Sequence, residues 1–136
     1  MPYSADEMFD LVADVERYPE FIPHCIDLRI DSNDAVNGVL VADMVVGYRA
    51  FRERFRSRVE LDRPNFRITA EYIEGPFRHL RTLWRFADTE EGSEVDFIVE
   101  FEFRSFVLQA AAAVVFERVF AHMSDAFVKR AADVYA

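Results

Sequence analysis

The chain has 136 residues, 51% of them hydrophobic and 14 of them Phe, with 25 acidic side chains against 16 basic ones. That length makes one domain, 1–136, with one core, and the net charge of -9 disfavours contact with DNA, RNA and anionic lipid surfaces. The single Cys25 excludes an internal disulfide framework and suits a reducing, cytoplasmic setting.

The opening stretch has neither the basic and apolar regions of a secretory leader nor the composition of a mitochondrial transit peptide, being too acidic. Ser4, followed three residues later by Glu7 and then by Met8, Phe9, Leu11 and Val12, predicts a capping-box helix running to about Asp14. A second helical turn over 15–18 is expected to stop at Pro19, because proline disfavours helical backbone in the residue before it. Tyr18 to Pro23 then reads as a compact apolar loop between two prolines: a rigid lid over one end of the core, or a gate or membrane-touching tip.

Beyond Pro23 the apolar period changes from 3.6 to 2. Turn signals at Asn37-Gly38, Arg63-Pro64-Asn65, Gly75-Pro76 and Glu91-Gly92 divide this stretch into six antiparallel strands, at about 24–32, 38–48, 50–62, 66–74, 78–88 and 94–104. In the third, Phe51, Glu53, Phe55, Ser57, Val59 and Leu61 share one face, and Arg52, Arg54, Arg56, Arg58 and Glu60 the other. In the sixth, Val95, Phe97, Val99, Phe101 and Phe103 oppose Asp96, Ile98, Glu100, Glu102 and Arg104. Both patterns predict a sheet with one apolar and one charged face.

Residues 105–135 contain no Gly or Pro and predict one long helix. Phe116, Phe120, Met123, Phe127, Ala131 and Val134 form its apolar stripe, with Arg118, His122, Asp125 and Lys129 opposite and His122 solvated. The longest apolar run, Phe106 to Phe116, is interrupted by Gln109 and falls short of the roughly 20 residues needed to span a bilayer. The helix is therefore expected to close over the Phe-rich sheet face, giving an α+β domain.

These blocks carry a family resemblance. Residues 8–23 (MFDLVADVERYPEFIP), Phe51 to Val59 (FRERFRSRV), Gly75-Pro76-Phe77 with Leu80, Trp84-Arg85-Phe86, Val95-Asp96-Phe97, Glu100 to Phe103, and Ala126-Phe127 with Arg130-Ala131 follow in order. In this the chain resembles the coenzyme Q-binding and ribosome-association-toxin family of the polyketide cyclase, START-like (helix-grip) superfamily. The resemblance implies a curved antiparallel sheet gripping a long C-terminal helix around a hydrophobic cavity. It also implies a non-catalytic carrier of an isoprenoid quinone such as ubiquinone, supporting respiratory electron transport in the cytoplasm or at the periphery of the inner membrane. Two departures stand out: relatives usually have a strand before the first helix, which is expected to be absent here, and His24 stands where they often carry Trp.

A quinone needs an apolar tunnel and a few donors for its carbonyls. The inward faces supply Phe51, Phe55, Trp84, Phe101, Phe103, Phe116, Phe120, Met123 and Phe127 as candidate liners, unless these simply fill a solid core. Glu53 on the apolar face must be paired or protonated if buried; it or Ser57 would anchor a polar head, or Glu53 forms an ion pair with Arg85 or Arg118. Two other readings share the fold. A ribosome-binding protein would use the Arg52, Arg54, Arg56 and Arg58 row, although Glu71, Asp96, Glu100 and Glu102 are placed to neutralise it. A cyclase or aromatase would need a general acid or base in the cavity, with Glu53 as the candidate. His24, His79, His122 and Cys25 have no metal-ligand spacing, and no P-loop, GxGxxG or nucleophile elbow occurs.

Overall fold

The computed structural model of the chain describes residues 1–34, 36–48 and 51–135, with the side chains of Tyr48 and Phe51 outside the description. The first helix, α1 (Ala5–Ala13), starts as its sequence dictates. Ser4 Oγ accepts from the Glu7 N–H at 3.1 Å, and the Glu7 carboxylate accepts from the Ser4 N–H at 3.1 Å. Its inner face buries Ala5, Met8, Phe9 and Val12. A 3-10 turn over Val15–Arg17 follows, and Tyr18–Phe21 then forms a separate helical turn, α2. Pro19 thus does not stop a helix. It occupies the first turn of a new one, where its missing N–H has no intrahelical partner to lose.

Six strands follow: β1 (Cys25–Asp34), β2 (Val39–Tyr48), β3 (Phe51–Asp62), β4 (Arg67–Glu74), β5 (Phe77–Thr89) and β6 (Gly92–Phe103). They form one antiparallel sheet in sequence order, each strand paired with its neighbour in the chain. At Gly92, with φ at 142°, a Cβ would stand 2.2 Å from the Met1 carbonyl oxygen. That close approach lets the Met1 amino group donate to Ser93 O at 2.8 Å while the Ser93 N–H donates to Met1 O at 2.9 Å. The segment before α1 is tied to β6 by this bridge rather than by a strand.

The predicted faces of β3 and β6 are the observed ones, but the outer arginines are neutralised differently. Asp43 on β2, only 7% exposed, lies opposite Arg56. Arg56 grips it with two hydrogen bonds, at 3.0 and 3.1 Å, Arg54 approaches at 3.6 Å, and Asp31 on β1 reaches Arg56 at 3.8 Å. Arg58 pairs with Glu60 along its own strand. Of the acids expected from sequence, only Glu71 lies opposite a β3 arginine, Arg58. Asp96 and Glu100 lie opposite Arg85 and Arg81 of β5, and Glu102 pairs with Arg78. The strand order explains the difference, since β6 is never adjacent to β3.

The long helix α3 (Phe106–Tyr135) closes the fold. Phe127 and Ala131 are buried in the core, and the Tyr135 hydroxyl donates to Glu7 O at 2.7 Å. That anchor turns Val134 outward to 50% exposure, so it leaves the predicted stripe. The helix is also long and apolar enough, by length and composition, to cross a membrane. Counting one uninterrupted run misses this, because the charged pair Glu117 and Arg118 divides two apolar stretches of the same helix.

Bonding to Arg56 holds the Asp43 carboxyl below the usual carboxylate range. A carboxyl whose folded pKa is lowered adds stability in full above its ordinary value near 4, and loses it as pH falls through the folded value. Asp43→Asn should therefore lower unfolding stability by about 2 kcal/mol at neutral pH. In chemical denaturation at stepped pH, the gap to the wild type should close below about pH 4.

Candidate functional site

Between the inner face of the sheet and the inner ridge of α3 lies a cavity of about 350 Å³. Its walls are almost wholly apolar. Of the predicted liners, Phe55, Trp84, Phe101, Phe103, Phe116, Phe120, Met123 and Phe127 all face it, as does Ser57. They form a continuous aromatic wall. Phe116 packs on Phe101 with centroids 5.0 Å apart, Phe120 on Phe97 at 5.5 Å, and Phe127 on Trp84 at 5.1 Å. The Phe51 side chain lies outside the described residues.

Glu53 is not part of this lining. It stands near the start of β3, on the apolar face opposite Val46, which does line the cavity, and it is half-buried. Among the described residues no ion pair joins it to Arg85 or Arg118.

The sequence reading also missed liners. Phe77 stacks on Phe103 at 4.4 Å and meets Phe55 edge-on at 5.4 Å. It opens β5 directly after Gly75-Pro76, where no alternation has yet been established. Met44 and Leu28 come from strands whose alternation is less regular. Tyr18 and Ile22 cap the end nearest α2. There Tyr18 and Phe21 both pack edge-on against Phe127, at 5.6 and 5.3 Å, and Arg130 lies over Phe21. These contacts lay the Tyr18–Phe21 turn over that end of the cavity.

Few polar atoms reach the cavity. Ser57 and Thr82 bring hydroxyls from β3 and β5. The Tyr18 hydroxyl donates to the Val12 carbonyl, and burial, with smaller contributions from Cys25 and Asp14, pushes its pKa far upward. Burial and then Asp27 raise the Cys25 thiol to about 11. Tyr18 and Cys25 are therefore neutral at physiological pH, and neither is poised to act as a base.

His24 lines the cavity beside Gly47. Its Nδ1 lies 3.3 Å from the Gly47 carbonyl oxygen, which can only accept, so Nδ1 carries the proton. Its Nε2 lies 3.0 Å from His122 Nδ1, and the two rings are stacked. His122 is thus a clasp from α3 to the start of β1, not a merely solvated residue. The two histidines are 98 positions apart in sequence, and no local pattern announces their meeting. Among the described residues, no three His, Cys, Asp or Glu side chains converge as metal ligands.

Next to Ser57 across the β3–β4 pair stands Tyr72, whose hydroxyl is buried without a hydrogen-bond partner. Its ring packs edge-on against Phe77 at 5.7 Å, one side chain behind the lining.

Residues 1–128 match the polyketide cyclase / dehydrase and lipid transport family. The chain is 34% identical to the ribosome association toxin RatA of Escherichia coli strain K12, over all of this chain and 85% of that protein. It is 35% identical to the mitochondrial coenzyme Q-binding protein COQ10 homolog B of Xenopus laevis, over 98% of this chain and 55% of that protein. The solution structure of the 18 kDa protein CC1736 from Caulobacter crescentus superposes with a TM-score of 0.82 at 32% identity, covering 99% of this chain and 93% of that one.

The raised thiol pKa makes a direct prediction. Cys25 should react with a thiol-specific disulfide reagent at neutral pH roughly a hundredfold more slowly than free cysteine, because its thiolate is correspondingly scarce. The rate should recover fully in denaturant, as followed by absorbance.

Proposed function

The chain belongs to the polyketide cyclase / dehydrase and lipid transport family, and from that premise we propose that it is a non-catalytic carrier or chaperone for an isoprenoid quinone such as ubiquinone. One observation carries the reading: the cavity of about 350 Å³ has an aromatic and aliphatic lining and only isolated hydroxyls. Lipophilic ligands gain from such a wall, and a quinone ring asks only for donors to its carbonyls. Ser57 and Thr82 offer these directly. Tyr72 holds a further orphan hydroxyl that a small movement of Phe77 would bring to a carbonyl. The cavity is at the low end of the usual range of about 300–1,000 Å³ for small-molecule sites. It takes a ring and a short prenyl stretch, and a longer tail must leave it.

Among the described residues, the cyclase reading finds no group poised to transfer a proton. Glu53 lies outside the lining, Tyr18 and Cys25 are neutral, and His24 is engaged by Gly47 and His122. The ribosome reading wants unpaired cations on the outer face, where Arg54, Arg56 and Arg58 are tied to Asp43, Asp31 and Glu60, leaving from that row only the exposed Arg52 without an ion pair among the described residues.

Native mass spectrometry with organic extraction, on protein purified gently from a respiring bacterium, should find quinone at near-stoichiometric amounts. Ala112→Phe, which places a ring in the cavity from α3, should abolish uptake while leaving the melting temperature unchanged or raised. An empty protein that also refuses added quinone removes the reading.

Tyr72→Phe separates ligand binding from stability. Removing an unpaired buried hydroxyl leaves stability unchanged or improves it, whereas losing one hydrogen bond to a carbonyl should weaken quinone affinity about fivefold. Both affinities are read by titrating quinone against the fluorescence of Trp84, and Glu53→Gln should leave the affinity unchanged.

A further inference from the structure

The inner ridge of α3 faces the cavity through Ala112, Val115, Phe116, Val119 and Phe120. Its outer surface over the same turns is equally apolar, and nothing among the described residues covers it. Phe106 is 88% exposed, Val107 74% and Val114 84%, and Ala110, Ala111 and Ala113 are exposed between them. At helical spacing these residues form two adjacent ridges, Phe106-Ala110-Ala113 and Val107-Ala111-Val114. The ridges end at Glu117 and Arg118, and no charged side chain occurs between Arg104 and Glu117. A helix apolar on every side over this length belongs in a protein core or in lipid, and the structure provides no core on the outer side.

We infer that the outer face of the first three turns of α3 is a docking surface for an uncharged lipid bilayer, inserted at the level of the acyl chains beside the cavity. The footprint argues for a bilayer over a second copy of the chain. The patch is about 14 Å long and about 10 Å wide, far short of the roughly 800 Å² per partner that a stable dimer buries. A bilayer needs no shape complementarity, and a helix with one such face settles about 5–10 Å into the boundary of headgroups and acyl chains. Charge selects the lipid. A chain of net charge -9 with no basic cluster flanking the patch is repelled by anionic headgroups, so apolar burial supplies the attraction.

The inference deepens the carrier reading, since the same helix turns one face to the ligand and the other to the phase that holds its tail. The test uses the full chain in vesicle flotation, with neutral phosphatidylcholine vesicles and with vesicles containing phosphatidylserine. The wild type should float with neutral vesicles, unaffected by salt, and more weakly with anionic ones. Val107→Asp combined with Val114→Asp should reduce flotation at least about tenfold. Val128→Asp, at a site 51% exposed on the C-terminal half of the helix, should not. Circular dichroism melts should be the same for all three.

Failure of the wild type to float, or equal flotation of the double variant, overturns the inference. So does light scattering that finds a wild-type dimer dispersed by the double substitution, since the patch then belongs to a second copy. Quinone uptake from detergent micelles, measured without vesicles, tests the carrier reading separately. Flotation without uptake leaves the docking surface standing and removes the carrier.

Discussion

Six antiparallel strands at about 4.8 Å spacing present an inner face roughly 24 Å across, while a single helix with its side chains is only about 10 Å wide. One helix cannot cover that face, and the mismatch governs the rest of the molecule. The chain covers the end nearest α1 and α2 with short elements, burying Met8, Phe9, Val12, Phe127 and Ala131. Over the remainder it lets α3 stand on large aromatic side chains instead of filling the gap. The Phe116–Phe101, Phe120–Phe97 and Phe127–Trp84 contacts act as spacers, and the cavity is the volume between them.

The outer face solves a different problem. A strand with arginine at every second position would repel itself unless anions were supplied, and the supply comes from Asp43 on β2, Asp31 on β1 and Glu60 of the same strand. Asp43 does most of this. It is only 7% exposed, with Arg29 opposite it on β1 and Arg54 and Arg56 of β3 within ion-pair reach. Because both Arg56 bonds are charge-assisted and well formed, the pair fixes the β2–β3 register on the outer face while the apolar liners fix it on the inner one.

Much of this was legible in the sequence because strand parity and helix caps are local. The capping box at Ser4 and Glu7 and the six strands follow from period and turn residues, and eight of the nine aromatic and methionine candidates named from sequence lie in the lining. What parity cannot supply is position along the strand. Glu53 and Phe55 share a face, yet only Phe55 lines the cavity, even though Val46, directly opposite Glu53, lines it as well. Burial on the outer face was illegible for a related reason: Asp43 reads as an exposed strand carboxylate until the neighbouring arginines are placed in register. The His24–His122 clasp and the orphan Tyr72 hydroxyl depend on how far α3 stands from the sheet, a distance set by the aromatic spacers and absent from any local pattern.

The fastenings of α3 are unevenly distributed. Its C-terminal half is held by buried Phe127 and Ala131, by the Tyr135 bond to Glu7, and by Arg130 against Glu20 and Phe21. Towards the other end, Gln109 accepts from the Phe103 N–H at 2.9 Å, Phe116 rests on Phe101, and His122 clasps His24. Local opening begins where buried apolar contact is least, which places it in the N-terminal half of α3. Movement there widens the cavity without disturbing the core at α1. Breaking one imidazole hydrogen bond and separating a few aromatic pairs costs far less than unfolding the sheet. A cavity closed by the weaker end of the longest helix can widen in this way without a hinge in the sheet.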